Sequence, residues 1–123
     1  MRLVKTIGDA AMLVSPDAGA LLDVAIELVR RAEAEGEEFP RLRAGLATGA
    51  ALHRAGDWYG SPVNLASRVT SVARPGSVVA TQATRDAIDG DERWRWSSLP
   101  PRRIKGVDGS VALYRARPAE PDA

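Results

Sequence analysis

The sequence predicts an α+β sandwich, with helices on one face of a mostly antiparallel sheet. Three observations carry that expectation. Segments with apolar residues at helical spacing alternate with short segments of strand character, and the strands come as adjacent pairs across turn signals. The 123 residues are enough for one buried core and not for two. Apolar residues make up 45% and charged residues 27%, the ordinary balance of a globular domain.

The elements follow in order. Arg2 to Ile7 reads as a strand, Gly8-Asp9 as a turn, and Ala10 to Val14 as the returning strand. Pro16-Asp17 opens a helix in which Leu21, Leu22, Ala25, Ile26, Leu28 and Val29 recur at helical spacing, with Glu33 to Glu38 on its polar end. Pro40 ends that segment. Leu42, Ala44, Leu46 and Thr48 alternate with smaller or polar neighbours, as in a strand. Gly49 allows a bend, and Ala50 to Arg54 is expected to return as its partner. Gly56 to Gly60 reads as a loop. Pro62 suits the first turn of a second helix, with Val63, Leu65, Ala66 and Val69 inward. Arg74-Pro75-Gly76 is a turn, Val78-Val79-Ala80 a buried strand, and Thr81 to Ile88 a short helix. Arg93 to Ser98, around Trp94 and Trp96, and Val111 to Arg115 complete the strands. The tail from Pro118 is expected to fray.

Composition excludes several function classes. There is no cysteine, so disulfides, Cys-based zinc sites and thiolate catalysis are absent together. His53 is the only histidine, which excludes a multi-histidine metal site within one chain. No apolar run approaches the ~20 residues of a membrane span, and no signal-peptide pattern opens the chain, so a cytoplasmic protein is expected. Residues 1–40 carry 4 basic and 8 acidic side chains, whereas residues 93–117 carry 7 basic and 1 acidic. That split fits either an anionic ligand near the C-terminal half or solvated arginines on exposed strand faces. The Arg-rich C-terminal half puts no basic residues on a helix face and shows no known reading motif, so a nucleic-acid partner is not expected.

Two segments carry chemistry: Val4-Lys5-Thr6-Ile7-Gly8-Asp9-Ala10-Ala11-Met12, and Asp57-Trp58-Tyr59-Gly60-Ser61-Pro62-Val63-Asn64-Leu65-Ala66-Ser67-Arg68. Together they resemble the catalytic domain of class III nucleotidyl cyclases, which make cyclic AMP or cyclic GMP. Ile104-Lys105-Gly106 resembles a third family segment, and the Gly56-to-Asn64 loop is similar to that of actinobacterial adenylyl cyclases. The resemblance covers residues 2–116. It implies a ferredoxin-like-related sandwich and a site at the interface of a head-to-tail dimer, where ATP becomes cyclic AMP and pyrophosphate.

The resemblance also implies roles. Asp9 is one of two aspartates that bind two divalent metal ions, Mg2+ or Mn2+. Asn64 orients the ribose and Arg68 stabilises charge on the α-phosphate. Four apart on a helix, the two share a face. Lys5 and Asp57 read the base. A lysine donor and a carboxylate acceptor complement adenine N1 and N6 and would mispair with guanine. Lys105 contacts the triphosphate.

No Phe-x-Asp-x-x-Gly-Phe-Thr segment, the family's source of the other metal aspartate, occurs among the 123 residues. Residues 1–117 are therefore expected to be a partial cyclase domain lacking its N-terminal strand and helices, with 118–123 a disordered tail. Such a chain is expected to be inactive alone. It would complement a full cyclase domain in a homodimer or heterodimer, or serve as a non-catalytic dimerisation or regulatory module.

Overall fold

The computed structural model describes residues 1–7, 10–88 and 90–119. Their elements run β1 (Arg2–Ile7), β2 (Ala10–Val14), α1 (Ala18–Ala34), β3 (Ala44–Leu46), β4 (Leu52–Arg54), β5 (Asp57–Tyr59), α2 (Ser61–Val72), β6 (Val78–Thr81), α3 (Gln82–Ala87), β7 (Trp94–Arg103) and β8 (Ser110–Pro118). The α+β class stands. The main sheet has the order β3-β6-β8-β7, and β1-β2 and β4-β5 form separate two-stranded ribbons.

Pairing in the main sheet is antiparallel except between β3 and β6, which run parallel. A parallel neighbour needs a crossover, and α2 supplies it. Two core clusters lie on opposite faces of this sheet. Leu22, Val29, Leu46, Val78, Ala80, Ile88 and Ala116 pack on the side of α1 and α3. Val69, Ala73, Val79, Ile104 and Leu113 pack on the side of α2. Val78, Val79 and Ala80 of β6 alternate between the clusters, which is why all three are buried, and the buried Thr81 hydroxyl lies 3.3 Å from that of Thr84. Within the expected class, α2 thus covers the face opposite α1.

Local chemistry explains the element ends. The Asp17 carboxylate accepts from the Ala20 N–H at 3.1 Å and caps α1. Gly45 faces α2 so closely that a Cβ there would lie 2.3 Å from the Thr70 nitrogen. β7 runs through Pro100-Pro101 because it is the edge strand, and its register shifts between Leu99 and Arg102.

Three local expectations are corrected. Ala50 to Arg54 does not return against the 42–48 strand; its last three residues form β4, which pairs with β5. The 56–60 segment is not wholly loop, since Asp57–Tyr59 is β5. The connection Ala55-Gly56 has φ of 53° and 79°, the left-handed pair that closes a two-residue hairpin. Leu28 is 46% exposed, because the buried stripe of α1 runs through Leu22, Val29 and Ala32 instead.

Candidate functional site

Lys5 and Asp57 meet although 52 residues separate them: Lys5 Nζ lies 2.6 Å from Asp57 Oδ2. Two backbone devices bring them together. The β1–β2 register shifts between Leu3 and Lys5, so an extra residue precedes the lysine and re-aims it. The tight β4–β5 turn places Asp57 at the start of β5. The Trp58 N–H donates to the other carboxylate oxygen, Oδ1, at 2.8 Å. The Lys5 hydrogen bond first, and the Trp58 N–H second, hold the Asp57 carboxyl below the usual carboxylate range. Trp58 is itself steadied by His53, its cross-strand partner, whose ring stacks on the indole at 4.7 Å and 19°.

The second group lies on α2. Gly60, at φ 128°, turns the chain from β5 into the helix, and Pro62 occupies its first turn. Asn64 and Arg68 are exposed one turn apart. They line a small cleft of about 110 Å³ together with Ser61, Leu65, Lys105, Gly106 and Val107. Lys105 is placed by buried Ile104 and by a turn in which the Val107 N–H donates to the Ile104 carbonyl at 3.0 Å.

The structure thus brings Asn64, Arg68 and Lys105 to one cleft, and joins Lys5 to Asp57 on the neighbouring β5. Asp9 lies outside the described residues. Sequence reasoning missed Ser61 and Val107 as cleft residues, and the Trp58 N–H as the second holder of Asp57. The Ser61-Pro62 pair at a helix start was the available signal for the first. The backbone contacts leave no sequence signal.

The described donors suit anionic oxygens. Two cations and an amide line the cleft, no carboxylate is among its lining residues, and Asp57 on β5 is engaged by Lys5. Among the described residues no group of three His, Asp or Glu side chains could hold a metal ion. These residues by themselves do not fit a divalent cation. A larger, open hollow of about 430 Å³ lies between Asp17, Gly19, Ile88 and Arg93, away from these groups.

Two cations and an amide beside a donor–acceptor pair make an arrangement suited to a nucleotide. The chain belongs to the adenylate and guanylate cyclase catalytic domain family, whose model matches residues 1–115. A pH-sensitive adenylate cyclase of Mycobacterium tuberculosis is 52% identical over 118 residues, covering 93% of this chain and 29% of that protein. An adenylate cyclase of Glutamicibacter nicotianae is 37% identical, over 97% of this chain and 29% of that protein. The chain therefore spans about three-tenths of the length of these relatives.

Solved structures agree on the fold. The catalytic core of a rhodopsin-guanylyl cyclase with converted specificity, in complex with ATPαS, superposes with a TM-score of 0.75. It is 26% identical over 94% of this chain and 70% of that one. An adenylate/guanylate cyclase/hydrolase from Silicibacter pomeroyi gives 0.80 at 22% identity, over 95% and 71% of the two chains.

Proposed function

We propose that this chain contributes the base-reading and charge-stabilising half of an adenylyl cyclase site, acting on ATP at a dimer interface and inactive alone. The observation that carries the reading is the Lys5–Asp57 pair, assembled across two ribbons next to the helix that bears Asn64 and Arg68.

In the reaction the ribose 3′-oxygen attacks the α-phosphorus, the bond to the bridging oxygen breaks, and pyrophosphate leaves as the hydroxyl loses its proton. Lys5 would donate to adenine N1 and Asp57 would accept from the N6 amine. Guanine would leave both mispaired, at about 1–3 kcal/mol for each unsatisfied buried group. Asn64 would hold the ribose so that the 3′-oxygen is in line. Arg68 would present fixed donors where negative charge grows on the α-phosphate. Lys105 would hold the triphosphate.

Metal ions such as Mg2+ or Mn2+ would supply the activation of the hydroxyl and the neutralisation of the leaving group. Asp9 would be one of their ligands, and a full cyclase domain in the partner would bring the rest. A location in the cytoplasm, with its ATP, goes with this reading; no helix among the described residues is long and apolar enough to cross a membrane.

The test is complementation. The chain is mixed with an intact family partner that retains its metal aspartates but lacks its own Asn and Arg. Cyclic AMP formation on mixing is expected, and its loss when the added chain carries Arg68→Ala. No activity at any ratio sinks the catalytic reading. The second reading, a non-catalytic dimerisation module, is favoured by the donor set, since among the described residues no group of three His, Asp or Glu side chains could hold a metal ion. It predicts that Arg68→Ala changes nothing the chain does to its partner.

A further inference from the structure

Arginines gather at the end of the main sheet remote from the β7–β8 turn. Leu113, Arg115 and Arg117 alternate along β8 and so share a face, and Leu113 packs into the cluster under α2. Arg95 on β7 lies directly opposite Arg117. From Ser110 to Arg117 the strand covers roughly 20 Å, which separates this patch from the cleft at Lys105.

A surface that met only water would gain nothing from this arrangement. Like charges directly opposite each other in an antiparallel pair repel. The Nε–H of Arg115 is buried and has no acceptor. Burial first, and the charge of Arg117 second, disfavour the charged form of Arg115. Among the described residues, no carboxylate forms an ion pair with Arg95, Arg115 or Arg117. The nearest candidate, Glu33, is engaged by Arg41 at 2.9 Å.

The opposite charge lies next door. The turn after α1 carries Glu35, Glu37 and Glu38, all exposed. Phe39 follows, 47% exposed, and Leu42, 37% exposed. The Leu42 carbonyl accepts from the Gly76 N–H at 2.7 Å. Gly76 in turn abuts Glu33 and Arg41, the same two groups whose charges Arg115 feels. Acidic turn and arginine patch therefore share one end of the molecule without closing on each other. A surface with adjacent acidic and basic halves is self-complementary about a two-fold axis, since each half meets its opposite in the second copy.

We propose that this end of the molecule is a self-association surface: the 35–42 turn of one copy docks on Arg95, Arg115 and Arg117 of a second copy, and reciprocally. The arriving carboxylates separate the opposed arginines, and Phe39 brings an aromatic face that stacks well on a guanidinium. This contact is independent of the nucleotide cleft and does not rest on the proposed activity.

Sedimentation equilibrium of the 123-residue chain tests it. The dissociation constant should rise at least ~10-fold between about 50 mM and about 500 mM salt. Arg95→Glu with Arg117→Glu should weaken self-association by a similar factor, and so should Glu35→Arg with Glu37→Arg. Mixing the two variants should restore association between them, because each then presents the charge the other needs. If the arginine variant fails to fold, the acidic-turn variant and the salt series still decide. Association untouched by salt and by both reversals overturns the proposal, as does a mixture that fails to associate. So does a chain that stays monomeric while its arginines capture a heparin-like polyanion.

Discussion

At the residue scale, the proposed function gives the Lys5–Asp57 pair a part in recognition, and its exposure leaves it little part in stability. Both side chains are partly solvated, at 38% and 23% exposure, so screening leaves the fold little to gain. Lys5→Ala should therefore barely shift the unfolding midpoint, yet lower the ATP-over-GTP ratio of kcat/KM in the complemented enzyme by about 10- to 100-fold. The Asp57 carboxyl is held below its ordinary range, so its contribution to stability has a definite sign. The contribution is fully present above the unfolded carboxylate pKa and is lost as pH falls through the lower folded value. The difference in melting temperature between the wild type and Asp57→Asn should accordingly shrink as pH drops below about 4. A difference that grows in acid would contradict the pairing. For Arg68→Ala, unchanged melting with a loss of about 10²- to 10³-fold in complemented kcat is expected, as for other removed charge-stabilising donors.

At the element scale, the contact between β3 and α2 is the tightest constraint on the site's geometry. Gly45→Ala would push a Cβ into the Thr70 backbone, 2.3 Å from its nitrogen and 2.8 Å from its Cα. Urea unfolding should show a loss of about 1–3 kcal/mol, with α2 displaced and the complemented activity reduced alongside. The cost of Leu22→Ala, a fully buried residue of α1, should be about 2–5 kcal/mol without the specific effect on activity.

This scale also shows what a sequence can disclose. The first hairpin, the capped helix, and the helix carrying Asn64 and Arg68 were legible, because turn chemistry, capping and periodicity are local. The parallel β3–β6 pairing and the β4–β5 ribbon were not. A three-residue strand such as Ala44–Leu46 has no period long enough to announce its partner, and its choice is made by the crossover of α2. At the site, motif and spacing single out Lys5, Asp57, Asn64, Arg68 and Lys105, and the structure joins the first two and gathers the other three at one cleft. The bulge that aims Lys5 and the Trp58 amide that holds Asp57 are backbone events, invisible in side-chain identity.

At the scale of the whole molecule, the two-face core joins α1, α2 and α3 to one sheet, while the β1–β2 ribbon shares no strand pairing with it. Among the described residues the ribbon's main contact outside itself is with β5, where Lys5 meets Asp57. Opening free energies in a protein follow such differences in anchorage. Amide hydrogens of β6 and β8 should exchange with solvent only on global unfolding, whereas those of β1 should exchange through a local opening that leaves the sheet intact. If Lys5 reads the base as proposed, its place on the least anchored element would make the apparent nucleotide affinity the product of two factors, intrinsic binding and the docked fraction of the ribbon. On that proposed reading, anything that clamps the ribbon, including a strand laid along its free edge by a neighbouring chain, would tune nucleotide affinity without touching a single group that contacts the nucleotide.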